Sequence, residues 1–104
     1  MVNVQHVRND GAHVLEVEGV LDIFTIEDFD NSLLELHDVS SLTIDLSRLT
    51  FIDSTGIGAL LRAIYLAQEQ NFPIHLTGMS EGIREMFETI GVMRVLEALQ
   101  KGEK

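Results

Sequence analysis

Along the first eighteen residues apolar and polar positions alternate. Val2 and Val4 stand between polar neighbours, and after Asn9-Asp10-Gly11 the alternation returns as Leu15 and Val17 against Glu16 and Glu18. Period two marks a strand with one buried face, and an Asp-Gly step between two such runs reads as a β-hairpin. From Thr25 the spacing becomes helical, with Ile26, Phe29, Leu33 and Leu36 on one face, Glu27, Asp28, Asp30 and Glu35 on the other, and Thr25 placed to cap. Leu42, Ile44 and Leu46 restore the strand period. A second helix follows Asp53, its apolar stripe formed by Ile57, Leu60, Leu61 and Ile64, with Ala59, Ala63 and Ala67 allowing close packing; it should stop at Asn71, before Pro73. Ile74 and Leu76 form a short strand. Ser80 can cap a third helix carrying Ile83, Met86, Phe87 and Ile90 up to Gly91, and Val95, Leu96 and Leu99 suggest a last amphipathic turn or two.

The order is strand, strand, helix, strand, helix, strand, helix, helix. Because the strands alternate instead of being apolar throughout, only one sheet face needs covering. The expectation is an α/β domain with a mixed sheet of four to five strands, an antiparallel hairpin at its start, right-handed crossovers after it and helices mainly on one face. With 104 residues there is room for one core, so a single domain over 1–104 is expected, with its core at about 2–100.

Composition narrows the partners. Hydrophobic residues at 45% and charged residues at 23% are globular values, and the formal net charge of -10 repels phosphate backbones and anionic lipid headgroups. Nucleic acid is therefore not expected as a partner; a basic protein surface is, unless the acidity serves only solubility. Without cysteine there is no disulfide framework and no thiolate metal site. Neither a signal peptide nor an apolar run of membrane-spanning length is legible, so a cytoplasmic protein without direct membrane insertion is expected.

The chemistry concentrates in Asp45-Leu46-Ser47-Arg48-Leu49-Thr50-Phe51-Ile52-Asp53-Ser54-Thr55-Gly56-Ile57-Gly58, where a strand gives way to a helix after a short loop. Here the chain resembles STAS domains, and among them the anti-sigma-factor antagonists, whose hallmark is a similar strand, an aromatic or apolar pair, then Asp-Ser-[Ser/Thr]-Gly-[Leu/Ile]-Gly and an apolar helix. Gly19-Val20-Leu21-Asp22 followed by Thr25 resembles the family's Gly-Glu-[Leu/Ile]-Asp loop, with Val20 where the family often has glutamate. The resemblance covers nearly the whole chain, including the Ser80 to Gly91 helix. It implies that Ser54 is phosphorylated, that Asp22 lies near it, and that Asp22, Asp53, Thr55, Gly56 and Gly58 belong to a partner-binding surface. It also implies a GHKL-type serine kinase that doubles as an anti-sigma factor, a PP2C-type phosphatase, and no cofactor of the chain's own, since ATP belongs to the kinase. Its other implication is a constitutive adaptor of a stress-sensing or transport complex, with Ser54 structural.

The residues bear on this separately. At a helix start the Ser54 hydroxyl can cap unpaired N–H groups while remaining exposed, and a phosphate of about -1.5 to -2 charges is well tolerated there. Gly56 and Gly58 either let a partner's backbone approach or let the helix pack closely on the sheet. Asp22 is equally readable as a loop or capping aspartate, and Thr55 as a second acceptor or a support for the turn. Other chemistries lack their residues. Asp53 and Gly56 are one residue too far apart for Asp-[Ser/Thr]-Gly, and Gly-x-Ser-x-Gly is missing. Gly56-Ile57-Gly58 lacks the rest of a dinucleotide loop or P-loop. His6, His13, His37 and His75 are scattered and are expected to face solvent or lie on edge strands, Met79, Met86 and Met93 to pack in the core or at its rim, and no base stands near Ser54 for a hydrolase.

Overall fold

Seven elements follow from these patterns in the computed structural model, which describes residues 1–90. Strand β1 (Val2–Asn9) turns at Asp10-Gly11 into β2 (Ala12–Leu21), which is followed by α1 (Ile26–Leu34), β3 (Ser41–Ile52), α2 (Ser54–Gln70), β4 (Ile74–Thr77) and α3 (Glu81–Ile90). The expectation at Val95, Leu96 and Leu99, like that at Met93, lies outside the described residues. The sheet has the order β1-β2-β3-β4; β1 and β2 are antiparallel, and β2–β3 and β3–β4 are parallel. This is the mixed sheet expected, with four strands among the described residues.

Alternation decides which face is covered. Leu15, Val17 and Leu21 of β2 and Leu42, Ile44 and Leu46 of β3 point into one core with Phe29 and Leu33 of α1, Ile57, Leu60 and Ile64 of α2, and Ile83 and Phe87 of α3. Each large side chain so buried stabilises the fold by about 1.5–3 kcal/mol before entropy is counted. Glu16 and Glu18 point the other way and are exposed. The same parity carries His13 inward, where it is 1% exposed, against the expectation of a solvent-facing or edge-strand histidine. The odd positions of β2 are the covered ones, and the inward series begins at His13, two residues before its first apolar member.

Strand β3 is longer than the Leu42-Ile44-Leu46 run indicates. Two register shifts place an extra β3 residue between the pairs Glu16↔Asp45 and Glu18↔Arg48, and another between Gly19↔Leu49 and Val20↔Phe51. Each such bulge reverses parity, so the inward positions step from Leu46 to Leu49 to Ile52 at intervals that no longer look like a strand. Gly19 sits at the second irregularity with φ +100, and its missing side chain leaves room for the Met1 carbonyl, which accepts the Val20 N–H at 2.8 Å. Gly19-Val20-Leu21 therefore lies within β2, and the loop that the resemblance placed there begins only at Asp22.

Helix ends follow partly from the expected chemistry. Ser80 caps α3 through its Oγ, which accepts the Ile83 N–H at 3.2 Å, and Asn71 closes α2 in the left-handed region at φ 62. Thr25 occupies the N-cap position of α1 but makes no side-chain cap bond. Its hydroxyl turns back towards the strand end instead, 2.8 Å from the Val20 carbonyl.

Candidate functional site

Strands β2 and β3 end together. Leu21 pairs with Ile52, the Asp53 N–H donates to the Leu21 carbonyl at 3.3 Å, and the chain then leaves the sheet on one side through Asp22 and on the other through Asp53 into α2. Carboxyl ends of neighbouring parallel strands are where open α/β sheets present ligand-binding loops. Asp22 and Asp53 leave the sheet side by side because the two bulges bring β3 to its last pair, Leu21↔Ile52, in step with β2.

The loop from Asp22 to Thr25 is held by its own polar groups. Asp22 Oδ1 accepts the Phe24 N–H at 3.0 Å, and Thr25 Oγ1 accepts the Asp22 N–H at 3.0 Å and lies 3.2 Å from Asp22 Oδ1. Asp22 is thus engaged in an Asx-type turn. That turn leaves Ile23 63% and Phe24 91% exposed. Phe51, paired with Val20 beside it, is 43% exposed. Three uncovered apolar side chains at one end of the sheet form a rim for which the domain's own core has no use. Phe51 stands in the motif as a member of its apolar pair, whereas Ile23 and Phe24 belong to no motif in the sequence. The available signal was an Ile-Phe pair placed in a turn, where apolar residues have nothing of their own to cover.

At the start of α2 the capping role falls to Asp53 and not to Ser54. Asp53 is extended (φ -107, ψ -174), its Oδ1 accepts the Gly56 N–H at 2.9 Å and its carbonyl accepts the Ile57 N–H at 2.9 Å. The expected cap was one residue late: the strand runs to Ile52, so a single residue makes the turn, and the residue with extended dihedrals is the aspartate. Ser54 is the first helical residue, exposed, and its hydroxyl makes no hydrogen bond among the described residues. Thr55 is half-buried beside it.

The two glycines separate. Gly56 is buried, and a Cβ there would lie 2.5 Å from the Leu21 carbonyl oxygen and 2.6 Å from Ile52 Cγ1. It faces inward, so its bareness serves the close approach of α2 to the ends of β2 and β3, and it offers no surface to a partner. Gly58 is half-buried, and the nearest atom a Cβ would meet is an Arg62 nitrogen at 3.9 Å. Farther along, Arg62 Nη2 donates to both carboxylate oxygens of Asp30 at 2.9 and 3.0 Å and ties α2 to α1.

No group of three or more histidine, aspartate or glutamate side chains suited to a metal occurs among the described residues, and no described helix is long and apolar enough to cross a membrane. A family model described as "Mlab, STAS domain" matches residues 4–99. An anti-sigma-B factor antagonist of Staphylococcus epidermidis is 24% identical over 96 residues, which cover 88% of this chain and 86% of that protein. The fold is shared with a sulfate transporter family protein from Wolinella succinogenes (TM-score 0.74, 19% identity, 88% of this chain and 77% of that one). It is shared too with an anti-sigma factor antagonist from Mycobacterium paratuberculosis (TM-score 0.70, 22% identity, 91% and 82%).

Proposed function

Since the chain belongs to the STAS domain family, we propose that it is an anti-sigma-factor antagonist, a non-enzymatic cytoplasmic switch whose docking surface is the carboxyl end of β2 and β3 and whose state is set by phosphorylation of Ser54. The observation that carries this reading is the division of labour between Asp53 and Ser54. Because the aspartate holds the first turn of α2, the serine hydroxyl is exposed and can be esterified without loss of the cap. A phosphate on the first helical residue also lies at the favourable end of the helix dipole, so the fold tolerates it. The names carried by the Staphylococcus and Mycobacterium proteins support the same reading.

The partner is a GHKL-type serine kinase acting as anti-sigma factor, with a PP2C-type phosphatase reversing the mark. The kinase supplies ATP, and this chain needs no cofactor. Ile23, Phe24 and Phe51 provide apolar contact area, while Asp22, Asp53, Thr55 and Gly58 contribute to the same partner-binding surface as the Ser54 hydroxyl. Unphosphorylated, the rim docks. Phosphorylated, a dianion joins two carboxylates in a patch that a partner shaped for a neutral hydroxyl must desolvate or repel; for an assumed separation of roughly 6 Å and an effective dielectric of about 20, each like-charge contact with the partner costs roughly 3 kcal/mol. Incubation with the kinase and ATP, followed by intact-mass measurement and peptide mapping, should place one phosphate on Ser54 and none in Ser54→Ala. An unmodified Ser54 in the presence of an active kinase would overturn the proposal.

A second reading, a constitutive adaptor, is favoured by the family model's description and by the fold match to a sulfate transporter family protein. An adaptor would bind its complex equally well as wild type and as Ser54→Asp.

A further inference from the structure

At the end of the sheet opposite Ser54, two imidazoles pack together within the hairpin, and a third, in the loop between α1 and β3, takes a hydrogen bond from Arg8 of the hairpin. His6 Nε2 and His13 Nδ1 are 2.8 Å apart, with their rings stacked at 5.0 Å and an interplanar angle of 23°. His13 is buried, and its Nε2 has no hydrogen-bond partner among the described residues. Beside this pair Arg8 Nη1 donates to His37 Nε2 at 3.3 Å, while His37 Nδ1 lies 3.2 Å from the Glu35 carbonyl. The turn is fastened by backbone too: the Gly11 carbonyl accepts from Ser40 at 2.8 Å and from Ser41 at 3.2 Å.

Both side-chain contacts demand a bare ring nitrogen. In the His6–His13 pair one nitrogen must accept, so the pair holds at most one extra proton before two N–H groups face each other. In the Arg8–His37 contact guanidinium can only donate, so His37 Nε2 must be unprotonated, which leaves Nδ1–H to donate to the Glu35 carbonyl. A second proton on the pair, or one on His37 Nε2, therefore removes an acceptor and sets cation against cation.

The charges bearing on His13 come from two elements. Strand β1 contributes His6 and Arg8, both opposing a charge on the ring; the loop after α1 contributes His37, which also opposes it, and the Asp38 backbone, which favours it. That backbone is close enough to act on the ring but is not aligned for a hydrogen bond to Nε2. Asp38 Oδ2 is 4.0 Å from Arg8 Nη2, so its charge is shared with Arg8. The neighbour of His13 on β3 is the apolar Leu42. Backbone strain adds to the tension at this end, where Asp10 and Asp38 have φ of 54° and 55°.

We propose that His6, His13 and His37 form an acid-labile latch, closed while the imidazoles are neutral, which lets the β1–β2 hairpin end separate from the α1–β3 loop as the pH falls. Burial above all, then His6, lowers the folded-state pKa of His13 from 6.5. The opened form therefore binds more protons than the closed one below about 6.5, and closure weakens as pH falls through that value. One differential proton changes the opening equilibrium tenfold per pH unit.

The test is amide hydrogen exchange of the full chain between pH 8 and pH 5, corrected for intrinsic rates, with histidine ring signals followed by NMR. Amides of Ser40 and Ser41, which donate to the Gly11 carbonyl across the opening seam, should lose protection by up to about tenfold per pH unit below 6.5, while those of residues 42–46 keep theirs. His13→Phe, which fills the site without titrating, should abolish most of the acid step. Should His13→Phe not fold, His37→Gln serves, since its amide oxygen accepts from Arg8 at every pH and should make the step shallower. Protection of Ser40 and Ser41 that follows that of 42–46 across the range would overturn the latch. So would an unchanged acid step in both variants.

Discussion

Asp53 accepts the Gly56 N–H at 2.9 Å and thereby fixes where α2 begins. Loss of an N-cap oxygen costs about 1 kcal/mol, within a range of roughly 0.5–2. Asp53→Ala should therefore lower unfolding stability by about that amount in urea titrations. Ser54→Ala, at an exposed position that is not the cap, should stay within about 0.5 kcal/mol of wild type. The reverse order would show that the hydroxyl caps the helix.

Gly56 and Gly58 should respond oppositely to alanine. At Gly56 the new methyl group meets the Leu21 carbonyl, a backbone atom fixed by sheet pairing, so overpacking should cost about 1–3 kcal/mol. At Gly58 the added Cβ meets only an Arg62 nitrogen at 3.9 Å, an ordinary van der Waals distance, and the gain in helix propensity should raise stability by up to about 1 kcal/mol. Denaturation midpoints of the two variants decide it. If Gly58 also admits a partner's backbone, Gly58→Ala should weaken kinase binding while stabilising the fold.

Phe24 tests the proposed docking rim without touching the core. Phe24→Ala should leave the unfolding midpoint unchanged, because little apolar surface is lost from the interior, yet weaken kinase binding at least tenfold as an aromatic anchor is removed. Ser54→Asp should weaken the same complex by about a hundredfold, because a partner surface that seats a neutral hydroxyl must desolvate or repel the added charge. Titration calorimetry of both variants measures the effects, and unchanged affinity in both would place the kinase elsewhere.

Asp45, on the uncovered sheet face, has its carboxyl pKa lowered from 3.8 by the Ser47 backbone N–H, which donates to Oδ1 at 2.9 Å, and by the Ser47 hydroxyl. A carboxylate depressed in the folded state stabilises the fold fully above its unfolded value; the contribution fades as pH falls below 3.8 through the folded value. Asp45→Asn should therefore reduce stability near neutral pH and converge on wild type in acid. Urea titrations at pH 7 and pH 3 provide the comparison, and a constant difference would contradict the assignment.

Much of this was legible in local pattern. Ser80 and Asn71 cap as their types suggest, Phe29 and Leu33 face inward at helical spacing, and the Asp10-Gly11 turn joins the strands it separates. Where the reading failed, a neighbouring strand had intervened. Leu49 and Ile52 look unlike strand residues because each follows a bulge, and a bulge exists only as a mismatch with β2. Thr25 looks like a cap, but its hydroxyl has the Val20 carbonyl within reach.

Sequence alone determined the element order, the covered face and the motif that places Ser54 at a helix start, because these depend on periodicity and short-range chemistry within a few residues. Tertiary structure decided which oxygen caps α2, why Gly56 must be bare, that His13 is buried against His6, and that Ile23, Phe24 and Phe51 stand uncovered at one end of the sheet. Those facts arise from β2 meeting β1 at His13, and β3 at the others, in a particular register. Register is a relation between distant segments, and no window along the chain contains both.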